Sequence, residues 1–193
     1  MKVPYISIAL SGSPRDRGIQ YGRGASDKIK RTIENYQCLF SNRSGLSWET
    51  AREISHKFIP FIKDVYPDAL LEIEGIAEGS GFDFDDILAL NCRSEILFAV
   101  PDGCSAIAAV PEMTETGHTL LAQTWDWTEN SYDTIVALQI KQDPLPSMVI
   151  FTEAGIIGGK GINSAGLGVT LNATSAGKGR VGVPLHILYR GIL

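Results

Sequence analysis

The hydrophobic pattern of this chain changes period at one place, Asp102-Gly103-Cys104. Ahead of that point apolar residues recur at helical spacing. A helix is expected from Pro14, with Ser13 as N-cap and Asp16 favouring the positive helix end. It runs to about Phe40 on Ile19, Tyr21, Ile29, Ile33, Tyr36 and Leu39, and residues 42–46 read as a loop. Ser47 caps a second helix from Trp48 to about Ile62, and Pro67-Asp68 opens a third that ends at Gly79-Ser80-Gly81. A fourth, started by Asp83 or Asp85, covers Ile87 to about Cys92. Beyond Cys104 short strands are expected at 105–110 and 119–125, joined by the polar turn 111–117, then at about 134–140, 147–152, 160–163 and 167–172. Residues 3–10 form a further strand or a docked arm. No linker-like composition separates the helical part from the β-rich part, so the two do not read as independent domains.

The junction itself carries chemistry. Pro101 and Gly103 break the apolar run 96–100, and a strand begins just after the cysteine. A thiol preceded by glycine suits an N→S acyl shift, in which the Cys104 sulfur attacks the Gly103 carbonyl and water resolves the thioester. Glycine tolerates the strained backbone that such an attack needs. The cut would leave Cys104 with both a thiol and a free α-amine. An α-amine titrates near 7.7–8.0 and a free thiol near 8.5, so one residue would supply nucleophile and base at neutral pH. Cys104 also suits a small apolar strand position, as buried cysteines often do.

Composition narrows the function classes. Hydrophobic residues make up 44% and charged residues 20% of the 193, which fits one globular core. The net charge of −5 gives no electrostatic footprint for nucleic acid. No apolar run reaches the ~18–20 residues of a membrane span, and the first residues lack the apolar region of a secretory signal. Cys38, Cys92 and Cys104 have no metal-type spacing and cannot all pair with each other, which favours an intracellular, reducing setting.

Several longer segments extend the argument. Residues 151–172, FTEAGIIGGKGINSAGLGVTLN, closely resemble the fungal acyl-coenzyme A:isopenicillin N acyltransferase family, which belongs to the N-terminal-nucleophile hydrolases. Asp102-Gly103-Cys104, Gln123-Thr-Trp-Asp-Trp127, Leu90-Asn-Cys-Arg-Ser-Glu95 and Gly12-Ser-Pro-Arg-Asp-Arg-Gly18 join the resemblance, in family order across nearly the whole chain. The resemblance implies an α+β fold, an N-terminal-nucleophile hydrolase-like four-layer α/β/β/α unit with a two-layer antiparallel sheet core. It implies self-cleavage between Gly103 and Cys104. Residues 1–103 would form the helical α part and 104–193 the start of the β part of an α/β heterodimer. Isopenicillin N or 6-aminopenicillanic acid would be the small-molecule β-lactam substrate, with acyl-CoA as co-substrate and no other cofactor or metal. A related amidase acting on another N-acyl amino acid, peptide or lipid amide is the close alternative, and an inactive remnant is a third. The setting would be cytoplasmic or peroxisomal, with neither nucleic acid nor membrane as partner. Residues 182–193 read as the first turns of an amphipathic helix with Pro184 near its start, so the C-terminal part is expected to be missing.

Other residues admit two readings. By resemblance Asp126 assists self-cleavage and orients the cysteine end; by pattern alone it is a solvated acid on a half-buried strand, opposite Trp125 and Trp127. Asn172 would donate to an oxyanion by similarity to related enzymes, or simply start a turn. Asn163 reads as the shaper of a hairpin turn. Arg93 and Glu95 read as a structural ion pair or loop anchor. Gly155, Gly158, Gly159 and Gly161 lack the Ser/Thr spacing of a phosphate loop and suit a strand bend or a close backbone contact. His118 offers a rival dyad with Cys104, provided it folds back toward the thiol.

Overall fold

A computed structural model describes residues 5–97, 104–172 and 180–193. The α+β class holds: helices occupy the first part of the chain and strands most of the second. Helix α1 spans Pro14–Ser44 and starts as its sequence dictates. Asp16 N donates to Ser13 Oγ at 3.2 Å while Ser13 N donates to Asp16 Oδ2 at 3.1 Å, a reciprocal cap. The helix runs past Phe40 because nothing breaks it before Gly45, whose φ of 62° ends it. Residues 42–44, expected in a loop, are therefore helical.

The second expected helix is divided. Helix α2 covers Trp48–Ser55, a 3₁₀ turn covers His56–Phe58, and α3 covers Ile59–Val65. Pro60 lies in the first turn of α3 and cannot continue a helix through the carbonyl four residues earlier, so the helix restarts there. Helix α4 spans Pro67–Ser80, α5 spans Phe84–Asn91 and α6 spans Arg93–Leu97.

The crossing of α1 and α4 is unusually close. A Cβ on Gly18 would lie 2.2 Å from Glu72 O, and one on Gly75 would lie 2.3 Å from Arg15 O. Gly22 and Gly79 meet the facing backbone in the same way, so four glycines at i, i+4 spacing let the two helices touch along a seam. Beside that seam the buried Glu72 carboxylate meets Arg17 at 3.6 Å and Arg190 at 3.2 Å.

Strand β1 (Ile6–Leu10) settles the arm question, and it pairs parallel with β4 (Ile135–Ile140). From β4 the five-stranded sheet continues antiparallel through β5 (Met148–Glu153), β6 (Lys160–Asn163) and β7 (Gly168–Val169), in the order β1-β4-β5-β6-β7. The sheet is thus mixed, not wholly antiparallel. Strands β2 (Ala106–Ala109) and β3 (Leu120–Gln123) form a separate hairpin. Val136, Leu138 and Ile140 of β4 and Met148 and Ile150 of β5 are buried in one cluster with Tyr21, Ile29 and Tyr36 of α1 and Ile73 and Ile76 of α4. Among the described residues the other sheet face is open, with Val149, Phe151 and Ile162 exposed and Tyr5 edge-on to Phe151 at 5.2 Å. The hairpin also exposes Ile107, Leu120 and Leu121. Helix α7 spans Leu185–Ile192 with Pro184 as its cap residue. Among the described residues no helix is long and apolar enough to cross a membrane.

Candidate active site

Cys104 is half-buried at the mouth of β2, where the hairpin is closed by a reciprocal pair of bonds. Ser105 N donates to Thr124 Oγ1 at 3.0 Å, and Thr124 N donates to Ser105 O at 2.9 Å. Asn172, 68 residues away, donates from Nδ2 to the Cys104 carbonyl at 2.8 Å. The structure therefore brings Cys104 and Asn172 together through the main chain of the cysteine. Gly103 and the rest of 98–103 lie outside the described residues, so the expected cleavage bond is seen from its Cys104 side alone.

The strand carrying the second candidate is shorter than its pattern predicts. It ends at Gln123: the next pair, Ser105 and Thr124, keeps the bond from Thr124 N to Ser105 O, while Ser105 N goes to the Thr124 hydroxyl in place of its carbonyl. Gln123 Oε1 accepts from Leu171 N at 2.8 Å, and Gln123 Nε2 donates to the Leu171 carbonyl. That side chain replaces ladder bonds for the chain leaving β7, which is why β7 holds two residues of the expected 167–172. Strict alternation consequently stops before Asp126. Trp125 packs against the Lys160 ammonium, 3.0 Å from its ring centroid. Trp127 donates from Nε1 to Tyr36 Oη at 3.2 Å. Asp126 is exposed between them, in a cleft of about 460 Å³ walled by Trp125, Trp127, Tyr132 and Ile135. Among the described residues no hydrogen bond joins Asp126 to Cys104, and Cys104 does not line that cleft.

Behind Trp127 lies a buried polar cluster that the local pattern does not reveal. Arg93 pairs with Glu153 at 3.0 Å, and Tyr36 Oη donates to the same carboxylate oxygen at 2.8 Å. The Arg93 guanidinium stands 5.2 Å from the Tyr36 ring and 5.3 Å from the Trp127 ring. Burial pushes the Tyr36 phenol well above its ordinary pKa, so it stays a donor. The expected structural anchor at Arg93 and Glu95 is present in altered form. Arg93 pairs with β5, whereas Glu95 accepts from Leu185 N at 2.7 Å and caps α7. Burial raises the Glu95 pKa, opposed by that bond.

The glycine-rich stretch after β5 is a clamped bend. Buried Asn91 Nδ2 donates to Gly155 O at 2.9 Å and Asn91 Oδ1 accepts from Ile157 N at 3.0 Å. Tyr21 Oη accepts from Gly155 N at 2.9 Å, and Gly155 has φ of 92°, a conformation that favours glycine. Asn163 shapes the β6–β7 turn, accepting at Oδ1 from Ala165 N at 3.1 Å and Leu167 N at 3.0 Å.

The rival thiol chemistry finds no support. His118 sits at the closed end of the hairpin, where its carbonyl accepts from Thr114 Oγ1 at 2.9 Å. Cys104 sits at the open end, in register opposite Trp125 and so seven residues from His118, or about 23 Å at ~3.3 Å per residue. Cys92 is fully buried, and burial pushes its thiol well above the ordinary value, which disfavours the nucleophilic thiolate. Among the described residues no group of His, Cys, Asp and Glu is arranged to hold a metal ion.

Residues 113–193 match a protein-family model described as acyl-coenzyme A:6-aminopenicillanic acid acyl-transferase. The chain is also 29% identical, over 189 residues, to the acyl-coenzyme A:6-aminopenicillanic-acid-acyltransferase 40 kDa form of Emericella nidulans. The chain is similar to these acyltransferases. The alignment to the Emericella acyltransferase takes in 96% of this chain and 52% of that protein, so the chain spans about half its length. The acyltransferase family model covers β3 to α7 and begins after Cys104.

Proposed function

We propose that the protein is a thiol acyltransferase that activates itself by cutting before Cys104. The Cys104 thiol adds to the Gly103 carbonyl carbon, the Gly103–Cys104 C–N bond breaks, and the freed α-amine takes up the proton. Water then hydrolyses the thioester, leaving a Gly103 carboxylate and a free thiol. Residues 1–103 and the part beginning with Cys104 would remain together as an α/β heterodimer. In turnover the Cys104 thiolate attacks the carbonyl of an acyl-CoA or of a side-chain amide, expelling coenzyme A or an amine. The α-amine of Cys104 acts as base, and the acyl group passes from sulfur to the amine of a 6-aminopenicillanic acid-type acceptor.

The bond from Asn172 Nδ2 to Cys104 O, at 2.8 Å, carries this reading. It holds an amide donor beside the residue that would bear the acyl group, where a donor stabilises an oxyanion. Asp126 is assigned to the ordering of the new cysteine end after the cut, when the free amine can move toward the acid. A reducing compartment, cytoplasm or peroxisome, would keep the three thiols free. The open apolar face of the sheet, with Val149, Phe151 and Ile162 exposed, supports the finer fold expectation of a second sheet layer stacked on the first.

Intact-mass analysis of the full-length protein tests the proposal. Two chains are expected, the second beginning with Cys104, and the Cys104→Ala variant stays uncut and inactive. His118→Ala retains cutting and turnover. A single uncut chain that transfers acyl groups would overturn the mechanism.

A further inference from the structure

Gln123 uses both ends of its amide, and the consequence reaches Cys104. Its Oε1 accepts from Leu171 N at 2.8 Å, while its Nε2 donates to the Leu171 carbonyl and faces Asn172 Oδ1 at 3.4 Å. Asn172 Nδ2 donates onward to Cys104 O at 2.8 Å. We infer that Gln123 is a positioning residue whose amide sets which end of the Asn172 amide faces Cys104. This deepens the thiol reading above and rests on it.

The argument starts from a group with no ambiguity. A backbone N–H is only a donor, so Leu171 N must be met by the oxygen of the Gln123 amide. That choice turns the Gln123 NH₂ toward the Leu171 carbonyl and Asn172. An NH₂ there requires an acceptor opposite, so Asn172 presents Oδ1 to Gln123 and its own NH₂ to Cys104. The oxygen and nitrogen of an amide are nearly the same size, so packing alone does not select this orientation. Reversing Gln123 would set donor against donor at Leu171 N and acceptor against acceptor at Leu171 O. Reversing Asn172 would do the same at Gln123 and at Cys104 O. Polarity thus passes from one backbone amide through two side chains to the cysteine. Among the described residues the Gln123 side chain bonds to Leu171 and Asn172 and not to Cys104, so it acts through Asn172.

Gln123→Glu separates orientation from shape. The introduced carboxylate still accepts from Leu171 N, but its second oxygen opposes Leu171 O and Asn172 Oδ1. Gln123→Ala removes both contacts without imposing the wrong polarity. The expected order of cutting before Cys104 is wild type, then Gln123→Ala, then Gln123→Glu. The last is expected at least ~10-fold below wild type, the scale of a misplaced functional group. In an Asn172→Ala background Gln123→Glu should add no further loss. A Gln123→Glu protein that cuts as fast as Gln123→Ala or faster overturns the inference, as does additivity with Asn172→Ala.

A second readout does not depend on cutting. In a Cys104→Ala background, the Asn172 side-chain NH₂ resonance, assigned by its loss in Asn172→Asp, should show the downfield shift of the proton bonded to the residue 104 carbonyl. Gln123→Ala should abolish that shift. An unchanged shift overturns the inference even if the wild-type protein proves uncut, an outcome that would by itself defeat the thiol reading.

Discussion

Replacing Arg93 by alanine would leave a carboxylate inside the protein without its cation. Arg93 and Glu153 are 7% and 1% exposed and meet at 3.0 Å, with Tyr36 as the further donor to the same oxygen. Breaking a buried pair by removing one partner costs about 3–5 kcal/mol, because the remaining charge loses its counterion and regains no water. The two aromatic faces that flank the guanidinium lose a cation as well, so the upper half of that range is expected. For a protein of this size roughly 2–4 °C of melting temperature accompanies each kcal/mol, giving a fall of about 8–20 °C. Replacing both charges, as in Arg93→Met with Glu153→Gln, should recover most of that loss, since two uncharged groups of similar volume need no counterion. Urea unfolding monitored by tryptophan fluorescence measures both variants, with Trp127 reporting on the site itself. An Arg93→Ala protein within about 1 kcal/mol of wild type, or a double variant less stable than the single one, would refute the reasoning.

Two further outcomes follow from the packing. Gly75→Ala should destabilise by about 1–3 kcal/mol through overpacking against Arg15 O, although alanine is intrinsically the better helix former by about 1 kcal/mol; thermal unfolding that shows a gain would refute the glycine seam. Burial holds the His186 imidazole well below its ordinary 6.5, so below that pH the unfolded chain binds a proton that the folded chain does not. Stability should therefore fall as pH drops below about 6.5, and His186→Gln should flatten the pH profile by up to about 1.4 kcal/mol per pH unit. Denaturation midpoints between pH 7 and pH 5 that are parallel in both proteins would exclude His186 as the source.

Local rules made much of the fold legible. Ser13 and Ser47 cap the helices they were expected to cap, through bonds of 3.2 Å and 3.1 Å to backbone groups three residues on. Capping needs no partner outside one turn of chain, so the signal is contained in four residues. Strand positions were recovered within a residue or two for β4, β5 and β6, and in β5 alternate residues are buried from Met148 to Thr152. The errors occur where a local rule was missed or a distant group intervenes. Pro60 divides the second helix, the side chain of Gln123 takes over the backbone of Leu171 and shortens β7, and the Thr124 hydroxyl takes Ser105 N from the ladder at the end of β3.

At the candidate site, sequence by itself determined the placement of Cys104 at the mouth of a strand, because turn formers and a change of hydrophobic period mark that position. Tertiary structure alone decided its company. Asn172 reaches Cys104 across 68 residues, Arg93 chooses Glu153 of β5, and His118 is carried to the far end of the hairpin. Those choices depend on which strands pair and on how closely the glycine seam lets α1 and α4 approach. The physical reason is range. Caps, turns and periodicity act within a few residues, whereas a buried charge or an amide finds its partner only after the folded chain has excluded the water that would otherwise satisfy it.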